Sequence, residues 1–204
     1  MRVMAKARLI LFVSVFCLFI SAGGGERANS GKTPFNWSLG LLHVQSGEML
    51  EFDSTVQSAT GERFRIVISP ETACFAYVIY ESAASGAELD VIYSGPIKHD
   101  ETWYSNILEL LLPGGLEQFY IVVSQDEQKS LSQKITELRQ NPLTAQKNAL
   151  KNEIARLQGE VSKTAEAPPV PSTLGGAARG KPGKNRGVEF SGLHTYVKTI
   201  AIEH

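Results

Sequence analysis

The sequence predicts a mainly β chain: an antiparallel β-sandwich of about seven or eight strands, with one or two accessory helices and a disordered Pro/Gly-rich insertion before the last strand. Three observations predict it. Between Leu39 and Ser124, short β-like runs are separated by turn residues, with no alternating βα pattern. Beyond Leu131 the apolar spacing changes to three and four residues. Residues 159–187 then hold four prolines and six glycines in 29 positions before β character returns at the end of the chain.

The first 24 residues read as an export signal. Arg2, Lys6 and Arg8 form a basic start, Leu9 to Ile20 an apolar run, and Ser21-Ala22-Gly23-Gly24-Gly25 a small-residue region, with cleavage expected after Gly23 or Gly24. The competing reading is a retained membrane anchor, but the run is shorter than the roughly 20 residues that cross a bilayer core. Lipidation at Cys17 would need small residues before it, whereas Val15 and Phe16 are bulky. The expected location is the periplasm or envelope of a bacterium.

The full chain carries 20 Lys and Arg against 21 Asp and Glu, a net charge of −1. Without the three bases of the signal the balance is 17 to 21, or −4, which is no footprint for nucleic-acid binding. Loss of Cys17 with the signal leaves Cys74 as the one cysteine, so no internal disulfide is expected; between Ala73 and Phe75 it reads as a small buried residue.

The domain is expected over residues 35–158. Met49 to Val56 is an early run, with Leu50 and Phe52 on one face. Arg63 to Ile68 alternates cleanly, placing Phe64, Ile66 and Ile68 together, and Pro70 ends it. Cys74 to Tyr80 is apolar on both faces, which suits a central strand. Leu89 to Tyr93 follows the Ser85-Gly86 turn, Ile107 to Leu112 runs into Pro113-Gly114-Gly115, and Leu116 to Val123 makes the next run.

Leu131, Ile135 and Leu138, then Leu150, Ile154, Leu157 and Val161, have helical spacing. Asn141-Pro142 between them reads as a cap followed by a first-turn proline. Each helix has a narrow apolar stripe, expected to pack on the sandwich in preference to a coiled-coil partner. Residues 159–187 have almost nothing to bury and are expected to be a disordered linker. Arg179 to Arg186, with four bases and no acid, reads as solvated, contact with an anionic surface being the alternative. Residues 188–204 are expected to return to the sandwich as its final strand. Val188, Phe190, Tyr196, Ile200 and Ile202 share one parity, which His194 and Lys198 interrupt.

No catalytic, cofactor-binding or metal-binding residues are assigned. Gly175 to Lys181 has the glycine and lysine spacing of a phosphate-binding loop, but Pro182 stands where Ser or Thr should hold magnesium. Ser30-Gly31-Lys32-Thr33 has the correct ending, but Glu26 occupies the position of the first glycine. Neither supports a nucleotide. His99-Asp100 reads as a surface loop, since His43, His194 and His204 show no ligand-like spacing around it. No serine has the Gly-x-Ser-x-Gly context, and Cys74 has no activating histidine nearby in sequence.

Phe64 to Ile68, Ala76 to Tyr80, Leu110-Leu111-Leu112-Pro113-Gly114-Gly115 and Glu117 to Ser124 together resemble a bacterial family of exported β-rich domains of unknown function, often found beside caspase-like or kinase-like regions. The resemblance covers residues 47–125 and implies an envelope-side β domain, with no catalytic residues to transfer. The family's proline turn after Leu89 to Tyr93 is absent unless Gly95-Pro96 fills it. The expected function is a non-enzymatic envelope or periplasmic interaction module, its partner an envelope protein or polymer, with membrane contact only through the signal before cleavage. The rival is an exported hydrolase or small-ligand-binding protein with a cleft near His99, Asp100, Trp103 and Tyr104.

Overall fold

Alternation of apolar side chains decides which face of each strand is buried. In the computed structural model it produces two sheets sharing one core. The structure describes residues 35–82, 88–161, 170–173, 186–192 and 195–204. Among the described residues strand accounts for 49% and helix for 21%, so sheet pairing sets the frame.

The strands in chain order are β1 (Phe35–His43), β2 (Met49–Leu50), β3 (Val56–Gln57), β4 (Arg63–Pro70), β5 (Cys74–Ser82), β6 (Glu88–Ile97), β7 (Trp103–Tyr104), β8 (Leu108–Glu109), β9 (Leu116–Ser124), β10 (Val170–Thr173), β11 (Arg186–Gly192) and β12 (Tyr196–Glu203). One sheet runs β10-β11-β1-β4-β7, with β2 on β1 and β8 on β4. The other runs β3-β12-β9-β5-β6. All described pairings are antiparallel except that of β3 with β12.

Between the sheets lies the main core. From the first sheet, Phe35, Trp37, Leu39 and Leu41 of β1 and Phe64, Ile66 and Ile68 of β4 point into it. From the second come Cys74, Ala76 and Val78, then Phe119, Ile121 and Val123. The opposite parity of β5, Tyr77 and Ile79, faces the helices. That is the physical reason its sequence is apolar on both faces: it is hydrogen-bonded to β6 and β9 and covered on both sides.

Helices α1 (Lys129–Gln140) and α2 (Thr144–Val161) cover the second sheet through Leu131, Ile135, Leu138, Leu150, Ile154 and Leu157. The hydroxyl of Tyr77 accepts the Gln128 N–H at 3.0 Å and contacts Ser132 Oγ at 3.0 Å, fixing the start of α1 on β5. Lys151 pairs with Glu81, holding α2 to the same strand. The break between the helices falls where expected, but Asn141 is the C-cap of α1, donating its N–H to the Glu137 carbonyl at 3.0 Å. Pro142 lies before α2, outside its first turn.

Several expectations are corrected. The run 49–56 is a crossover: β2 pairs with β1 and β3 with β12, while Phe52 between them enters the core. The run 107–112 forms only the two-residue β8 against Arg63 and Phe64; Leu110 is buried and Leu108 packs against the core, while Ile107, Leu111 and Leu112 are exposed. Residues 188–204 are two strands in different sheets, β11 on β1 and β12 on β9. Their shared parity still has a common cause, because Val188, Phe190, Tyr196, Ile200 and Ile202 all meet the main core. Lys198 reaches the edge of that face, with its ammonium 5.6 Å from the Phe52 ring and 3.7 Å from Asp53.

Within 159–187, α2 continues to Val161 and β10 occupies residues 170–173 by pairing with β11, so order stands at those positions where disorder is expected. Backbone pairing to β11 holds residues 170–173 there. β1, the centre of the first sheet, was hidden at the margin of the β pattern. The signal region 1–24, Ser30-Gly31-Lys32-Thr33, the Ser85-Gly86 turn, Gly175 to Lys181 and His194 lie outside the described residues.

Candidate functional site

β5 and β9 are antiparallel neighbours, and their core-facing parity should be apolar throughout. At one end it is not. The sequence 74, 76, 78 on β5 continues to Tyr80 and Ser82, and 123, 121, 119 on β9 continues to Glu117, with Ser82 directly opposite Glu117. These polar groups lie along the wall of a cleft of about 440 Å³. Its other walls come from β6 and from the loop that carries β8 towards β9.

Glu117 is buried and its carboxylate is held on both oxygens. Tyr80 donates to Oε2 at 2.7 Å and Ser82 to Oε1 at 3.2 Å. His204 donates from Nε2 to Oε1 at 3.3 Å, with its other ring nitrogen 3.4 Å from the Thr60 hydroxyl. The His204 side chain is wholly buried. Its position depends on a tight backbone approach: a Cβ at Gly114 would come within 2.5 Å of the His204 carbonyl oxygen.

This cluster contains the residue types of a hydrolytic triad in a different order. In a Ser-His-acid relay the imidazole lies between the hydroxyl it deprotonates and the acid that orients it. Here the carboxylate lies between the serine and the imidazole, and both donate to the same oxygen. The serine proton is directed to Glu117. The arrangement joins β5, β9 and the end of β12 as a polar clamp.

The mouth of the cleft has a different character. Leu111 is 65% exposed, Leu112 78% and Ile107 46%, making an apolar lip. Inside, Ile92, Leu110 and Phe119 line the wall. Glu88, Asp90 and Glu109 add three exposed carboxylates, of which Glu109 is 3.2 Å from Arg63. No lysine or arginine is among the described residues lining the cleft.

The positions near which the rival reading expects a cleft are elsewhere. His99 Nδ1 meets Asp100 Oδ2 at 2.8 Å in an exposed turn, where Asp100 adopts φ 56°. Trp103 packs on Tyr93 with ring centroids 4.7 Å apart, and Tyr104 is exposed on β7. None of the four lines the described cleft. His43 contacts Ser46 Oγ at 2.8 Å, far in sequence from the other histidines. Cys74 is a buried free thiol. Among the described residues no group of three or more His, Cys, Asp or Glu side chains is placed to hold a metal, and no helix is long and apolar enough to cross a membrane.

Burial pushes the Tyr80 hydroxyl up to about 12, helped by its hydrogen bond to Glu117 and by the charges of Glu117 and Glu88. Burial also pushes the Cys74 thiol up to about 12. On the helix side Tyr120 is raised by burial and by donating to Glu81 at 2.8 Å. Folding favours the protonated form of all three. Their contribution is therefore complete below the ordinary values of 9.0 for the thiol and 10.0 for the phenols, and is lost as pH rises through the raised ones. The melting temperature should hold up to pH near 9 and fall steeply towards 12. Tyr80→Phe should flatten part of that fall. A melting temperature independent of pH across this window would contradict the burial of these groups.

No family model, curated protein or solved structure matches the chain.

Proposed function

We propose that the chain is an exported, non-catalytic interaction module whose contact surface is the cleft and its apolar lip. The observation that carries this reading is the contrast between the two. Tyr80, Ser82 and His204 are all engaged with Glu117 in an order unsuited to proton relay, whereas the large apolar side chains at the mouth face solvent. Exposed apolar surface beside a concavity is the usual mark of a recognition site.

We read the two sheets as an antiparallel β-sandwich and the first 24 residues as a cleaved export signal. The resemblance of residues 47–125 to exported bacterial β domains agrees with a role in the periplasm or envelope, and the partner there is an envelope protein. Two experiments test the reading. N-terminal sequencing of the protein from its native cells should begin just after Gly23 or Gly24; Met1 on the abundant form, or lipid on Cys17, would overturn export. The purified protein should not turn over ester, peptide, glycoside or phosphoester reporter substrates. Turnover abolished by Glu117→Gln in a variant that keeps its fold would make it an enzyme.

A further inference from the structure

The geometry points to a partner polypeptide that inserts an arginine or lysine side chain into the cleft and lays flanking apolar side chains on Ile107, Leu111 and Leu112. This rests on the reading of the cleft as the contact surface and adds the chemistry of what it contacts. Charge is the first argument. Glu88, Asp90, Glu109 and Glu117 line the cleft, Glu109 beside Arg63 and Glu117 held by Tyr80, Ser82 and His204, and no lysine or arginine is among the described residues that line it. Carboxylates gathered along low-dielectric walls concentrate a negative potential that favours a cationic group and opposes an anionic one.

The apolar part of the wall gives the second argument. Ile92, Leu110 and Phe119 lie beside those carboxylates. A guanidinium or ammonium on a methylene stem can bury the stem on them while its head stays at the acids. The third argument separates a polypeptide from a small amphiphile. Leu111 and Leu112 line the cleft at its mouth and are 65% and 78% exposed, so full coverage of both calls for an occupant that extends past the mouth. A chain crossing the mouth covers them with the residues on either side of its basic one.

Strand addition is not the mode of contact. β6 is the outer strand of its sheet, but an extra residue at Ile92 shifts its register and Pro96 lacks an N–H to donate. A bulge and a proline blunt an edge for strand pairing. Recognition is therefore through side chains.

The test is a 15N chemical-shift titration of the purified protein with three acetylated, amidated peptides: Ser-Leu-Arg-Leu-Ser, the same with Glu for Arg, and the same with Ser for both leucines. The arginine peptide should shift resonances of Asp90, Leu111 and Leu112 and bind at least about tenfold more tightly than the glutamate peptide, the preference shrinking as salt rises. The triple variant E88Q/D90N/E109Q, altered only at exposed positions, should lose about tenfold in affinity for the arginine peptide. L111S/L112S should weaken arginine and glutamate peptides alike.

Equal binding of the arginine and glutamate peptides, shifts confined to another surface, or saturable binding of n-octylammonium without any peptide binding would each overturn the inference. So would the absence of any peptide binding at millimolar concentration. A cross-link formed in cells from position 112 would in that case still support the contact surface and reject only the basic segment.

Discussion

A chain ending at Gly187 should fail to fold and should aggregate. β11 and β12 are not edge additions: β11 lies between β10 and β1, and β12 between β3 and β9. Tyr196, Ile200 and Ile202 are buried, and Phe190 stacks on Trp37 with centroids 4.5 Å apart. Three buried side chains contribute roughly 1.5–3 kcal/mol each. Their sum is comparable to the ~5–15 kcal/mol that keeps a domain folded. Truncation also uncovers the edges of β9 and β1, whose free N–H and C=O groups invite intermolecular pairing. Size-exclusion chromatography and thermal denaturation check this. A truncated protein that stays soluble, monomeric and as heat-stable as the intact chain would show the placement of both strands wrong.

Glu117→Ala should destabilise the protein by about 2–5 kcal/mol, because donors of Tyr80, Ser82 and His204 lose their acceptor in partly or wholly buried positions. Glu117→Gln should cost less, since the amide oxygen can still accept while its NH2 opposes donors on the other side. Tyr80→Phe in the Glu117→Ala background should cost less than Tyr80→Phe in the native protein, as one orphaned donor disappears with the ring hydroxyl. Denaturant unfolding of the four proteins forms a double-mutant cycle. Strict additivity would mean that the Tyr80 to Glu117 hydrogen bond contributes nothing.

The strands and helices with strong periodicity were legible in the sequence. Phe64, Ile66 and Ile68 alternate without interruption, and Leu131, Ile135 and Leu138 return to one helix face, so local pattern and tertiary burial agree. β1 carries the same signal in Phe35, Trp37, Leu39 and Leu41, but Ser38 and Gly40 on the other parity lower its apparent β character. Ile107 to Leu112 failed for the opposite reason: an apolar run looks like a strand whether or not another strand is available to pair with it. β8 finds only two partners on β4.

The clamp was not legible as a cluster. Tyr80 and Glu117 are 37 residues apart and His204 is 87 beyond Glu117, so only the pairing of β9 with β5 and β12 brings them together. One local sign was present. Glu117 occupies the same parity as Phe119, Ile121 and Val123, and an acid on a core-facing parity has to be compensated by neighbouring strands. His99-Asp100 carries the converse lesson: two chemically suggestive neighbours in sequence sit on an exposed turn, where they meet each other.

Site-specific photo-cross-linking in the native cells tests the contact surface most directly, with the photoreactive residue placed at position 112 on the lip or at position 99 in the exposed turn. Position 112 should give a discrete protein adduct that position 99 does not give, and a Leu111→Ser change should weaken that adduct while leaving the melting temperature within a few degrees of the parent. Adducts from position 99 with none from position 112, in folded protein, would contradict the assignment of the cleft and its lip as the surface through which this chain acts.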